Sequence, residues 1–306
     1  MDMLHISLFG AFHIHSNNGS IIDVGPRRCQ ELLSYLLLHR HQQQDREKVA
    51  ALMWRDSTTA QAKRYLRQTL WQLQSAQQPS TAPIRDLLSV DHEFLGINPE
   101  AQYWLDVAVF EQAICAHHDT LGQALNTQQI EHLQAVLNLY KTGLLDDWDM
   151  EWCVVERECF RKIYLTTLEK LLVHSLIHRS YDEGINYGAK ILFLDAAHER
   201  THRRLMQLRY HSGDRIGAIN QYLLCVKTLE DELGVPPSQK TTRLYQQICN
   251  DCVEPKKPEP EESENGSYLA ELEQIQDTLS LLQERVSQMI LHCQRDTAAT
   301  VFRDHA

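Results

Sequence analysis

Residues 57–78, STTAQAKRYLRQTLWQLQSAQQ, decide how the rest of the chain is read. Tyr65, Leu66, Thr69, Leu70 and Leu73 recur at three- and four-residue steps, which line one face of a helix with 3.6 residues per turn. Ser57 stands where an N-cap hydroxyl accepts from the free amides of the first turn. Lys63, Arg64 and Arg67 are positive, and no Asp or Glu occurs from Ser57 to Arg85. In a chain of formal net charge -11, an acid-free basic helix is a local exception. Two readings compete: a helix that enters a DNA major groove, or a core helix with a solvated basic face. With Tyr65, Leu66 and Leu70 turned to the core, Lys63, Arg64, Arg67 and Gln68 are left facing outward.

The 306 residues, 43% hydrophobic and 23% charged, suit two globular domains and a tail. Charge is unevenly divided. Residues 1–100 carry ten Lys+Arg and ten Asp+Glu; residues 101–253 carry 15 and 20, net -5; residues 254–306 carry five and 11, net -6. Positive charge can therefore dominate a face only in the first third, and steering depends on where charge sits. The first residues, MDMLHISLFGAFHIH, lack a basic n-region, so no signal peptide is expected. No run of 18 apolar residues predicts a membrane span. Eight scattered cysteines fit reduced thiols in a cytoplasm.

Leu4, Ile6 and Leu8, then Phe12 and Ile14, alternate with polar residues, which predicts two short strands and a bend at Gly10. Ile21-Ile22 adds a third short strand. Gly25-Pro26 opens a helix whose stripe is Cys29, Leu32, Leu33, Leu36 and Leu37. Gln42-Gln43-Gln44 reads as a polar loop, and Asp45 caps a second helix with Val49, Leu52, Met53 and Trp54 as core candidates. The basic helix is the third. Leu87–Val90 and Phe94–Ile97 flank a polar tip, Asp91-His92-Glu93, as a hairpin would. Strands, three helices and a hairpin make the order of a winged helix, in which the third helix enters the major groove and the hairpin reaches toward the backbone or minor groove.

The segments GPRRCQELLSYLLLHR, DREKVAALMW and AKRYLRQTLWQLQ resemble the DNA-binding domain of the Streptomyces antibiotic regulatory protein (SARP) family across nearly all of residues 1–100. The resemblance implies a winged helix of the response-regulator type. Tyr65 departs from the family, which often has Asn before the Leu-Arg pair, so base preference does not carry over.

Residues 101–252 are patterned as helices throughout. Gly184-Ile185-Asn186 aligns with Ala218-Ile219-Asn220 at an offset of 34, the period of a tetratricopeptide repeat, with Gly184 and Ala218 at a small-residue position. Gly143, in YKTGLLDDW, reads as the end of a helix. That segment and EDELGVPPS resemble the turn and the closing motif of the bacterial transcriptional activator domain, which follows the winged helix in the same family. No GxxxxGK[ST] phosphate loop is present. Residues 253–267 form a Pro/Glu-rich linker expected to be disordered. Leu272, Leu279, Val286 and Cys293, with Ile275, Leu282 and Met289, fall on heptad positions within 268–295, a short coiled coil expected to dimerise.

Other motifs offer different chemistry. His198-Glu199-Arg200-Thr201-His202 fits HExxH, in which two His one turn apart bind zinc and the Glu acts as base, but no third ligand is identified. Cys249-Asn250-Asp251-Cys252 is a single CxxC, where structural zinc takes four ligands. His117-His118 is a weak metal candidate, and Asn265-Gly266-Ser267 fits a glycosylation acceptor that matters only outside a cytoplasm.

The expected architecture is mainly α with small β elements: a winged helix over residues 1–100, an all-α repeat domain over 101–252, the linker and the coiled coil. The expected function is that of a transcriptional regulator, not an enzyme, with no cofactor and no metal. The resemblance implies an activator that binds promoter direct repeats and recruits RNA polymerase. Its DNA-contacting candidates are Thr59, Lys63, Arg64, Arg67 and Gln68 on the third helix, Arg27 and Arg28 beside the first, and His92 at the wing tip. Paired donors on long side chains suit guanine and adenine edges, and lysine suits phosphate. Expected partners are double-stranded DNA, RNA polymerase, a second copy in a homodimer, and an unidentified small-molecule effector, with no membrane. The alternatives are a repeat-type adaptor without DNA binding and a zinc-dependent enzyme built on the HERTH segment.

Overall fold

The computed structural model describes residues 3–75, 82–117 and 120–253. The linker from residue 254 onward, the heptads of 268–295, His118 and the glycosylation acceptor lie outside the described residues. The architecture is mainly α with two small sheets. Alternating apolar residues place Leu4 and Ile6 inward on β1 (Leu4–Ser7), which pairs antiparallel with β2 (His13–Ser16), Ile6 facing Ile14. Ile21 makes only an isolated bridge to His15, so the expected third strand is not formed there. The third strand comes from farther along the chain. β6 (Tyr103–Leu105) pairs parallel with β1, giving the order β2-β1-β6.

Helix α1 (Arg27–Leu38) starts after Pro26, whose fixed φ of -57° suits a helix entrance, and buries the expected stripe. Asp45 caps α2 (Arg46–Met53) by accepting from the Glu47 and Lys48 amides, and β3 (Gln44–Asp45) occupies the end of the polar loop. Helix α3 spans Thr59–Gln74. Its N-cap is Thr58, one residue later than expected, because Thr58 and Gln61 close a reciprocal capping box. A short α4 (Ala82–Leu87) leads into the wing, β4 (Leu88–Val90) and β5 (Phe94–Ile97), which with β3 forms the sheet β3-β5-β4.

The remainder is helical: α5 (Asp106–Ala116), α6 (Thr127–Leu137), the 28-residue α7 (Glu151–His178), α8 (Tyr181–Leu194), α9 (Glu199–His211), α10 (Arg215–Leu233) and α11 (Gln239–Cys249). The repeat reading explains its small residues. A Cβ on Gly184 would stand 2.8 Å from Leu208 and 3.0 Å from Ser175, and Ala218 at the equivalent position is fully buried. Gly143 does not end a helix; α6 stops at Leu137. Its carbonyl instead accepts from the Gly10 amide at 2.6 Å, and the Leu145 amide donates to the Leu8 carbonyl at 2.9 Å. The Arg157 guanidinium holds the Leu144, Leu145 and Trp148 carbonyls in that turn.

These contacts join both halves of the chain. Buried Asp106 accepts from the Leu8 and Phe9 amides at 2.8 and 2.9 Å. The Phe9 ring lies 5.1 Å from Phe110, 5.1 Å from Tyr140 and 5.5 Å from Phe160, within one hydrophobic core that runs from Leu4 to Leu208. Three charge pairs line the same junction, Arg27 with Asp147 at 3.0 Å, Arg40 with Glu111 and Arg55 with Glu151, and the His39 ring stands 3.7 Å from Glu156.

Candidate nucleic-acid interface

Ala62, Leu66, Thr69, Leu70 and Leu73 fasten α3 to the core through its buried face. The opposite face is left to solvent. Thr59, Arg64, Arg67 and Gln68 are exposed, and Lys63 is half-buried. Tyr65 is 39% exposed, against the expectation of a core position; its ring stands 6.2 Å from Trp54. It sits at the border of the stripe, where Ala62 and Thr69 take the buried places.

Helices α2 and α3 and the wing tip enclose an open cleft of about 510 Å³, lined by Arg46, Glu47, Ala60, Lys63, Leu66, Arg67 and His92. Three of the sequence candidates, Lys63, Arg67 and His92, therefore meet at one place. Lys63 Nζ reaches Glu47 at 2.6 Å, whereas neither Arg64 nor Arg67 has an ion pair among the described residues. The wing is braced toward this cleft. Arg46 donates its guanidinium to the Asp91 carbonyl and its amide to the Glu93 carbonyl, while the Asp91 carboxylate accepts from the Glu93 and Phe94 amides. Those backbone amides hold Asp91 below the usual carboxylate range. Arg46 escaped the sequence reading. Its signal is visible in retrospect: it follows the Asp45 cap, so its side chain leaves the first turn of α2.

Arg27 and Arg28 do not line the cleft. Arg27 pairs with Asp147 and Glu31 and covers the Trp148 ring at 4.5 Å. Arg28 pairs with Glu31 at 2.8 Å and donates to the Met53 carbonyl at 3.3 Å.

The HERTH segment does structural work. His202 is buried, with Nε2 against the Ala196 carbonyl at 2.9 Å and Nδ1 against Gln221 at 2.7 Å. Burial holds its pKa below the ordinary imidazole value. His198 meets Glu169 with one ring nitrogen and Thr201 with the other. Glu199 accepts from the Ser238 amide and hydroxyl at 2.8 and 2.6 Å and from the Thr241 hydroxyl, fixing α11 to α9. Both imidazoles thus spend both nitrogens inside the protein. The seven described cysteines are free thiols, and among the described residues no group of three His, Cys, Asp or Glu is placed to hold an ion. His117 Nε2 lies 3.1 Å from His132 Nδ1. Among the described residues, no helix is long and apolar enough to cross a membrane.

Residues 105–249 match the model of the bacterial transcriptional activator domain. No curated protein sequence matches the chain significantly. The structure is similar to that of Mycobacterium tuberculosis EmbR in complex with a low-affinity phosphopeptide, with a TM-score of 0.68, 17% identity, and coverage of 90% of this chain and 72% of that one. At that identity the likeness is one of fold. Residues 105–249 thus carry a bacterial transcriptional activator domain, set behind a winged helix in an arrangement similar to that of SARP-type transcriptional regulators.

Proposed function

We propose that the chain is a cytoplasmic activator that binds promoter DNA site-specifically, with α3 in the major groove and the wing beside the backbone, and recruits RNA polymerase. The observation that carries this reading is the outward face of α3. Arg64 and Arg67 project from it without acidic partners among the described residues, beside Thr59, Gln68 and a cleft that Lys63 and His92 also border. Uncommitted guanidinium groups on an exposed helix face suit guanine O6 and N7, Gln68 suits adenine, and Lys63 and His92 suit phosphate. Arg27 and Arg28 are assigned the smallest share, as phosphate contacts, since each is engaged by Glu31. Two copies on direct repeats follow from the family resemblance and from the heptads of 268–295. Residues 1–100 serve as the DNA-binding part and 101–252 as the part that relays to other partners, an effector included.

Selection of duplexes from a random pool by the full chain tests this. A repeated motif is the expected outcome, with binding that weakens steeply as salt rises because phosphate contacts release counterions. Arg67→Ala should cost on the order of 1–3 kcal/mol and relax preference at one base pair. Failure to enrich any motif favours the adaptor reading.

A further inference from the structure

Trp71 lies on α3 one turn beyond Arg67 and two beyond Arg64, and its side chain is 65% exposed. The chain's other four tryptophans are buried or half-buried. With 3.6 residues per turn, Arg64, Arg67 and Trp71 fall within about 60° of one another around the helix. Leu66, Leu70 and Leu73 occupy the far side. The indole therefore contributes nothing to the core that holds α3. It stands in the middle of the polar face, where a large apolar group gains nothing from water.

We propose that Trp71 reads a thymine by packing its indole on the C5-methyl group; the inference rests on α3 entering the major groove. That groove presents donors, acceptors and one kind of apolar group, the thymine methyl. Arg64, Arg67 and Gln68 serve the polar edges, and Trp71 adds the apolar contact they cannot make. Four residues of helix advance about 6 Å, close to two base-pair steps of roughly 3.4 Å. The thymine accordingly lies about two base pairs from the base that Arg67 meets.

The test replaces each thymine of the selected duplex in turn by deoxyuridine, which removes only the methyl group, and measures binding of the full chain. Wild type should weaken about fourfold at one position, the worth of one buried methyl. Trp71→Ala should weaken binding to the natural duplex at least as much and become indifferent to deoxyuridine there, while Trp71→Phe keeps part of the sensitivity. An unchanged melting temperature of both variants shows that the surface substitution leaves the fold intact. Wild type indifferent to every deoxyuridine, or Trp71→Ala that binds normally or keeps the sensitivity, overturns the thymine contact. A wild-type chain that enriches no duplex overturns the DNA reading itself, and is a distinct result.

Discussion

Glu47 is the only acid among the described residues lining the α2–α3 cleft, and it holds Lys63 at 2.6 Å, with Glu47 largely in water and Lys63 half-buried. Such a pair contributes little to stability, but it occupies a cation on the face proposed to meet phosphate. Glu47→Gln should leave folding unchanged, tighten DNA binding and steepen the plot of log affinity against log salt by about one unit, as one more phosphate contact would. Titration of a fluorescent duplex at several salt concentrations measures this. An unchanged slope would place Lys63 outside the contact surface. Asp106 shows the opposite situation. Its carboxylate is buried and receives the Leu8, Phe9 and Val107 amides, so Asp106→Ala leaves three buried donors without this acceptor. The expected loss is on the order of 3 kcal/mol, read by urea unfolding, since each orphaned group costs about 1–3. Nothing in the sequence marks its role in joining the two halves, because Leu8 and Phe9 lie 98 and 97 positions away.

Elements were legible where local pattern decides them. The stripe of α3 places Leu66, Leu70 and Leu73 inward as the period requires, and Asp45 announces α2 through its side-chain oxygen. Partners distant in sequence were not legible: β6 could not be seen as a strand, since only its pairing with β1 makes Tyr103–Leu105 extended. Likewise, Gly143 reads as a helix end until the strand bend that it answers is in place. The HERTH helix makes the same point for chemistry, since its spacing suits zinc while its surroundings engage both nitrogens of each histidine and an oxygen of Glu199. Glu169 on α7 is 15% exposed and faces His198 at 3.2 Å, Arg204 at 3.5 Å and Arg200 at 4.0 Å on the α9 side. Burial raises its pKa, but the His198 hydrogen bond and charge and both arginines outweigh burial and hold it below the ordinary 4.5. A carboxyl with a depressed native pKa stabilises fully above its ordinary value and loses that contribution as pH falls through the native one. Glu169→Gln should therefore cost on the order of 3 kcal/mol at neutral pH and flatten the decline of stability below pH 4.5. Urea midpoints across pH 3 to 7 (roughly the span over which carboxylates titrate) check both effects.

For the whole molecule, the composition predicts a join near residue 100, yet the physical contacts do not pause there. β6 completes the first sheet, Asp106 receives the end of β1, and Phe9 sits among Phe110, Tyr140 and Phe160. Three charge pairs set Arg27, Arg40 and Arg55 of the winged helix against Asp147 of the turn before α7 and Glu111 and Glu151 of the following helices. This divides the positive charge of residues 1–100 into two uses. Arg27, Arg40 and Arg55 fasten the winged helix to the helical part, and Arg64 and Arg67, without ion pairs among the described residues, are the ones proposed to meet DNA. Because the fastening is mainly an apolar core, the two parts should unfold together rather than in sequence. Urea unfolding followed by tryptophan fluorescence, which samples Trp54 and Trp71 on one side and Trp104, Trp148 and Trp152 on the other, should coincide with far-ultraviolet circular dichroism in a single transition. Phe9→Ala removes the ring that spans both sides and should lower the stability of the entire unit by about 3–5 kcal/mol, keeping the two probes coincident. Two separated transitions in the wild type, or a Phe9→Ala variant that shifts only one probe, would show instead that the winged helix is held as an independent body, free to reorient on DNA.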